Sequence, residues 1–330
     1  MERVVRKRRS LLVVLSAALL VGVLWLLVWQ PLQLARQRQA ALARLPALPP
    51  FTQQNASSIA GFREADRRAR ESPRSAEAVG RLGMLYHSYR FMDEARACYQ
   101  LARSLAPEAF EWIYYLAYLE KTAFRYPEAE TAFTEAIAAQ PTNAELWAQL
   151  GDLYLMWSRR DAADTHLERA LELDPHEPLA AIGRARLVLQ ARDWNRAIEL
   201  LTPILDEHPR LSIAHKYLAV AYETLGRSEE REHHLALSEY GSALESPRMR
   251  ELHELSVEPI LTGGDPAAGP ALLEIKCSRC HTRGRIDATR QDRHWWARTI
   301  RRMQRQAGWA WLTDDEAAAV VAYLTARRTP

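Results

Sequence analysis

The chain has little cysteine and no excess of charge, and both shortages narrow what it can be. Three cysteines in 330 residues are too few for a disulfide framework, so stability has to come from packed cores. Forty-four Lys and Arg stand against 41 Asp and Glu, a balance that points to no particular partner and gives no reason to expect nucleic acid. No serine-hydrolase elbow, phosphate-binding glycine loop or metalloprotease helix occurs, so the expectation is a protein that is not an enzyme. The length exceeds what one ordinary domain uses, which calls for two or more folding units.

What is present begins with five basic residues among the first ten, Arg3, Arg6, Lys7, Arg8 and Arg9, followed by an apolar run over residues 11–29. At ~1.5 Å per residue that run covers roughly 28 Å, close to the ~30 Å of a bilayer core. A single membrane-spanning helix is expected over residues 1–30 with their basic tip. Trp25 and Trp29 suit an interfacial belt and offer no small-residue cleavage site, against the competing reading of a signal peptide. The positive-inside rule then leaves the N-terminus in the cytoplasm and exports the rest, in a bacterium to the periplasm, from an anchor in the inner membrane. Residues 31–54 read as a stalk and proline-containing linker.

Residues 55–240 repeat. Pro73, Pro107, Pro141, Pro175 and Pro209 are 34 residues apart, and other ladders keep the step: Ala95, Ala129, Ala163 and Ala197; Tyr99, Phe133, Leu167 and Leu201; Ala102, Ala136, Ala170 and Ile204. Gly83, Ala117, Gly151, Ala185 and Ala219 supply a small residue in the first helix of each unit, where two helices must approach closely, and proline ends each unit. This pattern resembles the tetratricopeptide repeat, a pair of antiparallel helices. The resemblance implies four well-formed units starting near Ala76, Phe110, Ala144 and Pro178, a looser fifth from Ser212, a lone capping helix ahead of them, and a surface for a protein partner. Arg184 and Arg231 break the ladders. Cys98 falls inside a repeat, where a small buried side chain is expected. The tyrosines read as packing residues, and no scattered histidine has a partner at metal-ligand spacing.

Residues 241–269 are rich in proline and glycine and read as a joint, with a short helical patch near Arg250. The last segment, 270–330, is too small for a robust core from protein alone. It contains Cys277-Ser278-Arg279-Cys280-His281, the spacing that attaches a c-type haem: two thiols on one helical turn reach two vinyl groups, and the histidine supplies the proximal nitrogen. Cys277 and Cys280 are therefore candidates to hold one covalent haem c, and His281 to ligate its iron. Zinc on Cys277, Cys280, His281 and His294 is the competing reading, made awkward by adjacent ligands. Thr313 and Glu316 form a capping box at the start of a final helix. For the distal ligand, Met303 shares a helical face with Trp296 and Ile300. His294 is the alternative, Met249 and His253 are outside candidates, and an open sixth position is a further one. Trp295, Trp296, Trp309 and Trp311 can wall the ring. Ten Lys or Arg against two acids between residues 276 and 305 suggest an acidic redox partner or propionate contacts, from Arg279, Arg283, Arg298 and Arg302, with a solvated face as the plainer reading.

A haem-motif helix crossed by a C-terminal helix with an aromatic near its end resembles the class I cytochrome c fold. The stretch Trp296, Thr299, Ile300, Arg302, Met303, Trp311, Leu312, Thr313, Tyr323 and Leu324 is similar to haem domains of quinohaemoprotein amine dehydrogenases, where such a methionine is commonly axial. The resemblance does not extend to that enzyme's catalytic and quinone-bearing parts. The expected protein is all-α: a transmembrane helix, a repeat solenoid and a small monohaem cytochrome c domain that transfers electrons while the repeats dock a partner. An assembly factor binding client chains and a haem-based sensor are the alternatives.

Overall fold

The computed structural model of the chain describes residues 22, 25–240, 243–278, 286, 289 and 291–327. Most of the apolar run expected to cross a membrane lies outside the described residues, as do Cys280 and His281. Among the described residues no helix is long and apolar enough to cross a membrane. A π-helical turn, Trp25–Trp29, leads into α1, Gln30–Arg44.

The solenoid consists of α2, Ala56–Glu71, and five helix pairs. These are α3, Ala76–Ser88, with α4, Met92–Leu105; α5, Phe110–Thr122, with α6, Tyr126–Ala139; and α7, Ala144–Met156, with α8, Arg160–Leu173. Then come α9, Pro178–Gln190, with α10, Trp194–Glu207, and α11, Ser212–Thr224, with α12, Ser228–Tyr240. First helices recur every 34 residues because the sequence ladders do, and the packing explains each ladder. Tyr99, Phe133, Leu167 and Leu201 are all fully buried, as are Ala95, Ala129, Ala163 and Ala197. The small residues are there because nothing larger fits: a Cβ on Gly151 would lie 2.6 Å from the Leu167 side chain. Arg184, which stands where the other units have Leu82, Leu116, Leu150 and Leu218, reaches Asp164 of the previous pair at 2.9 Å and is satisfied as an ion pair instead.

A further 34-residue ladder is conformational. Arg90, Phe124, Ser158 and Arg192 all have φ between 60 and 65°, and the fifth position is Gly226 at 71°. Each closes the tight corner between the two helices of a pair, where its N–H bonds a carbonyl three residues back. Only the last corner uses the residue that meets this geometry without strain.

The segments around the solenoid are packed rather than tethered. Ala41 and Leu45 at the end of α1 are buried, and Arg44 donates to Ser104 at 2.8 Å. After the solenoid comes α13, Pro247–Glu254, whose Met249 and Leu252 join the solenoid core. Short turns follow, Glu258–Ile260 and Pro266–Ala268, then α14, Gly269–Leu272, continuing as a π-helical turn, Leu273–Cys277. Two longer helices complete the chain, α15, Arg293–Ala307, and α16, Asp314–Ala326. The joint expected at 241–269 thus packs on both sides, Met249 against the repeats and Val257 and Ile260 against the C-terminal core.

Arg192 is exposed and makes no side-chain bond among the described residues. Arg192→Gly should raise stability by about 0.5 kcal/mol, relief of left-handed strain exceeding the entropy glycine adds to the unfolded chain. Urea denaturation reads the difference, and a lower midpoint for the variant would contradict it.

Candidate functional site

The C-terminal core brings together residues that the sequence separates by up to 67 positions, from Val257 to Leu324. Cys277, at the end of the π-helical turn, is buried with Leu273, Trp296, Ala297, Ile300, Leu312, Val320, Val321 and Leu324. Half-buried Met303, Trp295 and Trp311 pack against the same cluster. Three helix-end devices position it. Asp292 caps α15 by accepting from the Trp295 N–H at 2.7 Å. Thr313 and Glu316 form the capping box expected for α16, at 3.3 and 2.8 Å. Gly269 lets α14 cross α16, since a Cβ there would lie 2.2 Å from Tyr323. Lys276, next to Cys277, donates to the Trp311 carbonyl at 2.7 Å and ties the motif helix to the α15–α16 corner.

Two donors in this region lack acceptors. Among the described residues the buried Trp296 indole Nε1 and Arg293 Nε have no hydrogen-bond partner, and they lie three residues apart on α15. An unsatisfied buried N–H is uncommon and costs free energy, so both mark a place where an acceptor from outside the described protein atoms fits.

The other candidate ligands are placed elsewhere. His294 is nine residues from Met303, which puts it on the opposite side of α15, and its Nε2 lies 3.1 Å from Glu254 on α13. Met249 is sealed in the solenoid core, and His253 pairs with Glu245. Trp309, expected to shield the ring, lies in the solenoid cluster, 5.5 Å from the Tyr89 ring, and its N–H donates to Asp314 at 3.3 Å. Arg298 approaches Glu254 at 3.6 Å. Among the described residues no group of three or more His, Cys, Asp or Glu is arranged for a metal ion.

Nothing in the sequence singled out the contact that fixes this domain on the solenoid. Arg301 of α15 and Asp314 of α16 form an ion pair in which both side chains are 0% exposed. Arg301 also donates to the Ser256 carbonyl, to Gln304 Oε1 at 2.9 Å and to the Tyr89 hydroxyl at 3.4 Å. Asp314 accepts from Ser58 Oγ at 2.5 Å and the Asn55 N–H at 3.3 Å, and its own N–H donates to the Gln53 carbonyl at 2.9 Å. Asn55 in turn donates to the Pro259 carbonyl at 2.9 Å. Arg301 had counted as one of ten cations on a basic surface; it is an interior residue.

Alongside runs a groove of about 790 Å³, bounded by the first helices of the repeats, by residues 243–250, and by Arg302 and Arg305 of α15. His87 lines it and hydrogen-bonds the Tyr99 hydroxyl at 3.3 Å. Burial pushes its imidazole down to about 3, so it stays neutral in the fold.

The geometry defines a class: an all-α tetratricopeptide-repeat solenoid closed by a small helical domain carrying a buried Cys277. Two family models match parts of the chain. A family model described as tetratricopeptide repeat matches residues 122–187 and 158–219. One described as quinohemoprotein amine dehydrogenase A, alpha subunit, haem binding, matches residues 267–329. A curated relative, anaphase-promoting complex subunit 3 of Schizosaccharomyces pombe, is 29% identical over 129 residues, 39% of this chain and 19% of that protein. The match thus spans about a fifth of that relative's length. Among solved structures, Pseudomonas aeruginosa PilF is 15% identical with a TM-score of 0.47, covering 60% of this chain and 97% of that one. A tetratricopeptide repeat protein from Parabacteroides merdae is 15% identical with a TM-score of 0.48, covering 69% and 88%.

Removing one member of the interior pair leaves the other charged and buried. Arg301→Met and Asp314→Leu should each cost about 3–5 kcal/mol in urea denaturation, and the double variant less than either single. A double variant worse than both singles would contradict this account. His87 gives a pH dependence. Its native proton affinity lies below the ordinary 6.5, so its stabilisation is complete above that pH and is lost as pH falls toward 3. The stability gap between the wild type and His87→Asn should therefore shrink by up to about 1.4 kcal/mol per pH unit between pH 6.5 and 4. A gap that is flat in pH would show that His87 is not held neutral.

Proposed function

We propose that the chain is a membrane-anchored, periplasmic monohaem c-type cytochrome that transfers electrons, with the repeat solenoid docking it to a protein partner. The single observation that carries this reading is the buried cluster that contains Cys277 and against which Met303 packs. Two features of that cluster fit the group. Its walls, Trp296, Ile300, Leu312 and Val320, are apolar, and its two orphaned donors, Trp296 Nε1 and Arg293 Nε, are what propionate carboxylates would satisfy. The haem-binding match over residues 267–329 contains the full motif and Met303.

When bound, haem c supplies one-electron chemistry at its iron. The chain's own residues do the rest. Cys277 and Cys280 would hold the ring through thioethers and His281 would supply the proximal nitrogen. Met303 would supply a thioether on the distal side, which favours the reduced state and a higher potential. Trp296 and Ile300 exclude water, and that keeps the reorganisation accompanying electron transfer small. The anchor is supported by the exposure of Trp25, Leu27, Val28 and Trp29, each at least 50%. A lipid interface would remove these side chains from water.

The test is spectroscopy and potentiometry of full-length protein matured in a bacterial periplasm. Met303→Ala should abolish the charge-transfer band of a methionine-ligated ferric haem and lower the potential on the order of 100 mV or more. His294→Ala should change neither. Survival of the band in Met303→Ala, or its loss in His294→Ala, would overturn the ligand assignment.

A further inference from the structure

We propose that the cavity between the far end of the solenoid and α15 binds a small organic dianion with an apolar body. The proposal does not rest on the cytochrome reading. Place and size are the first argument. The cavity, about 440 Å³, is walled by residues 207–211 between α10 and α11, by residues 243–257, and by Trp295, Thr299 and Arg302 of α15. It shares one wall with the groove along the repeats, but none of the first helices lines it. It lies instead where two folding units meet, a common place for ligand pockets, and its volume falls within their range of roughly 300–1,000 Å³. Part of the lining is apolar: Leu211 and Val257 are buried and Trp295 is half-buried.

A hydroxyl without a partner is the second argument. Thr299 is 7% exposed, lines the cavity, and makes no side-chain hydrogen bond among the described residues. That sets it apart from other threonines of this fold. Thr131, Thr165, Thr202, Thr224 and Thr325, each also on a helix, return their hydroxyls to the carbonyl four residues back. A buried polar group left unpaired costs free energy, so an oxygen brought by a ligand meets a donor that gains by accepting it as partner.

Charge selects the sign of the ligand. Five arginines line the cavity, Arg210, Arg250, Arg298, Arg302 and Arg305, against two acids, Glu207 and Glu245. Both acids are engaged already. Glu207 lies 3.3 Å from His176, which is not part of the lining, and Glu245 pairs with His253. Glu245 also acts on Arg250 and Arg305, so one carboxylate serves that whole end. Arg298 approaches Glu254 at 3.6 Å. Arg302 has no ion pair among the described residues, and it is close enough to Arg305 for their like charges to oppose each other. Thr299 and Arg302 are three residues apart and hence neighbours on one face of α15. A carboxylate there would accept from both, a second one would meet the remaining arginines, and the apolar body would lie against Leu211, Val257 and Trp295. Because the walls come from both units, a bound molecule would also stabilise their joint.

The test is isothermal titration calorimetry on the full-length protein in detergent. The probe is benzene-1,4-dicarboxylate, with benzene-1,4-dimethanol as its uncharged counterpart and sulfate as a compact dianion. The dicarboxylate should bind at a single site, and the diol and sulfate at least about tenfold more weakly. Thr299→Val and Arg302→Gln should each weaken the dicarboxylate about tenfold, while Arg169→Gln, on α8 and outside the lining, should leave it unchanged. Thr299→Val keeps the shape of the side chain and removes a hydroxyl that has no partner, so its urea midpoint should not fall. That measurement separates a lost ligand contact from a lost fold. Absence of dicarboxylate binding, equal binding of the diol or of sulfate, or wild-type affinity in both variants would overturn the proposal.

Discussion

Arg301 and Asp314 sit on different helices, both are shut off from solvent, and the groups that satisfy them come from distant parts of the chain. Ser58 and Asn55 come from the start of the solenoid, Tyr89 from its first corner, and Ser256 from the segment after its last helix. A buried ion pair contributes little net stability when compared with apolar residues of the same shape, but losing half of one is costly. Its value here is positional. The pair is satisfied in one arrangement of the two ends of the chain, so it selects that arrangement against others. The rest of the C-terminal architecture depends on that choice.

The dependence runs through α15. One side of this helix is fixed by Arg301, which pairs with Asp314 and reaches Tyr89 of the solenoid, and by Gln304, which holds Arg301 and the α15–α16 corner. Another side, Trp296, Ile300 and Met303, faces the Cys277 core, while Arg302 and Arg305 face the groove. Three tasks are therefore assigned to three faces of one helix of 15 residues. Fixing the first face fixes the direction of the other two.

Much of the fold was legible because its information is periodic. A 34-residue step in prolines, alanines and core aromatics reports helix pairs whatever their surroundings, and the helices start on that step at Ala76, Phe110, Ala144, Pro178 and Ser212. The capping box at Thr313 was equally local. What stayed hidden was non-local or lacked a sequence counterpart. Arg301 looked like one more surface cation because the acid that buries it is on another helix and the hydroxyls that complete it are more than 200 residues away. Trp309 was read with the tryptophans that cluster near the motif; its N–H donates to Asp314, a contact that no local pattern announces. The left-handed corners at Arg90, Phe124, Ser158 and Arg192 were invisible because glycine, the usual marker, occurs at only the fifth. The haem motif itself was read from Cys277 to His281, and of its ligating residues Cys277 lies among the described residues.

The account stands or falls on whether the group is covalently attached at that motif. Intact-mass spectrometry of the denatured full-length protein, purified after periplasmic maturation, tests this most directly. The account predicts one species heavier than the polypeptide by a single haem, with the added mass on the proteolytic fragment containing Cys277 and Cys280. A denatured chain with the mass of the bare polypeptide, or added mass on a fragment elsewhere, would contradict it.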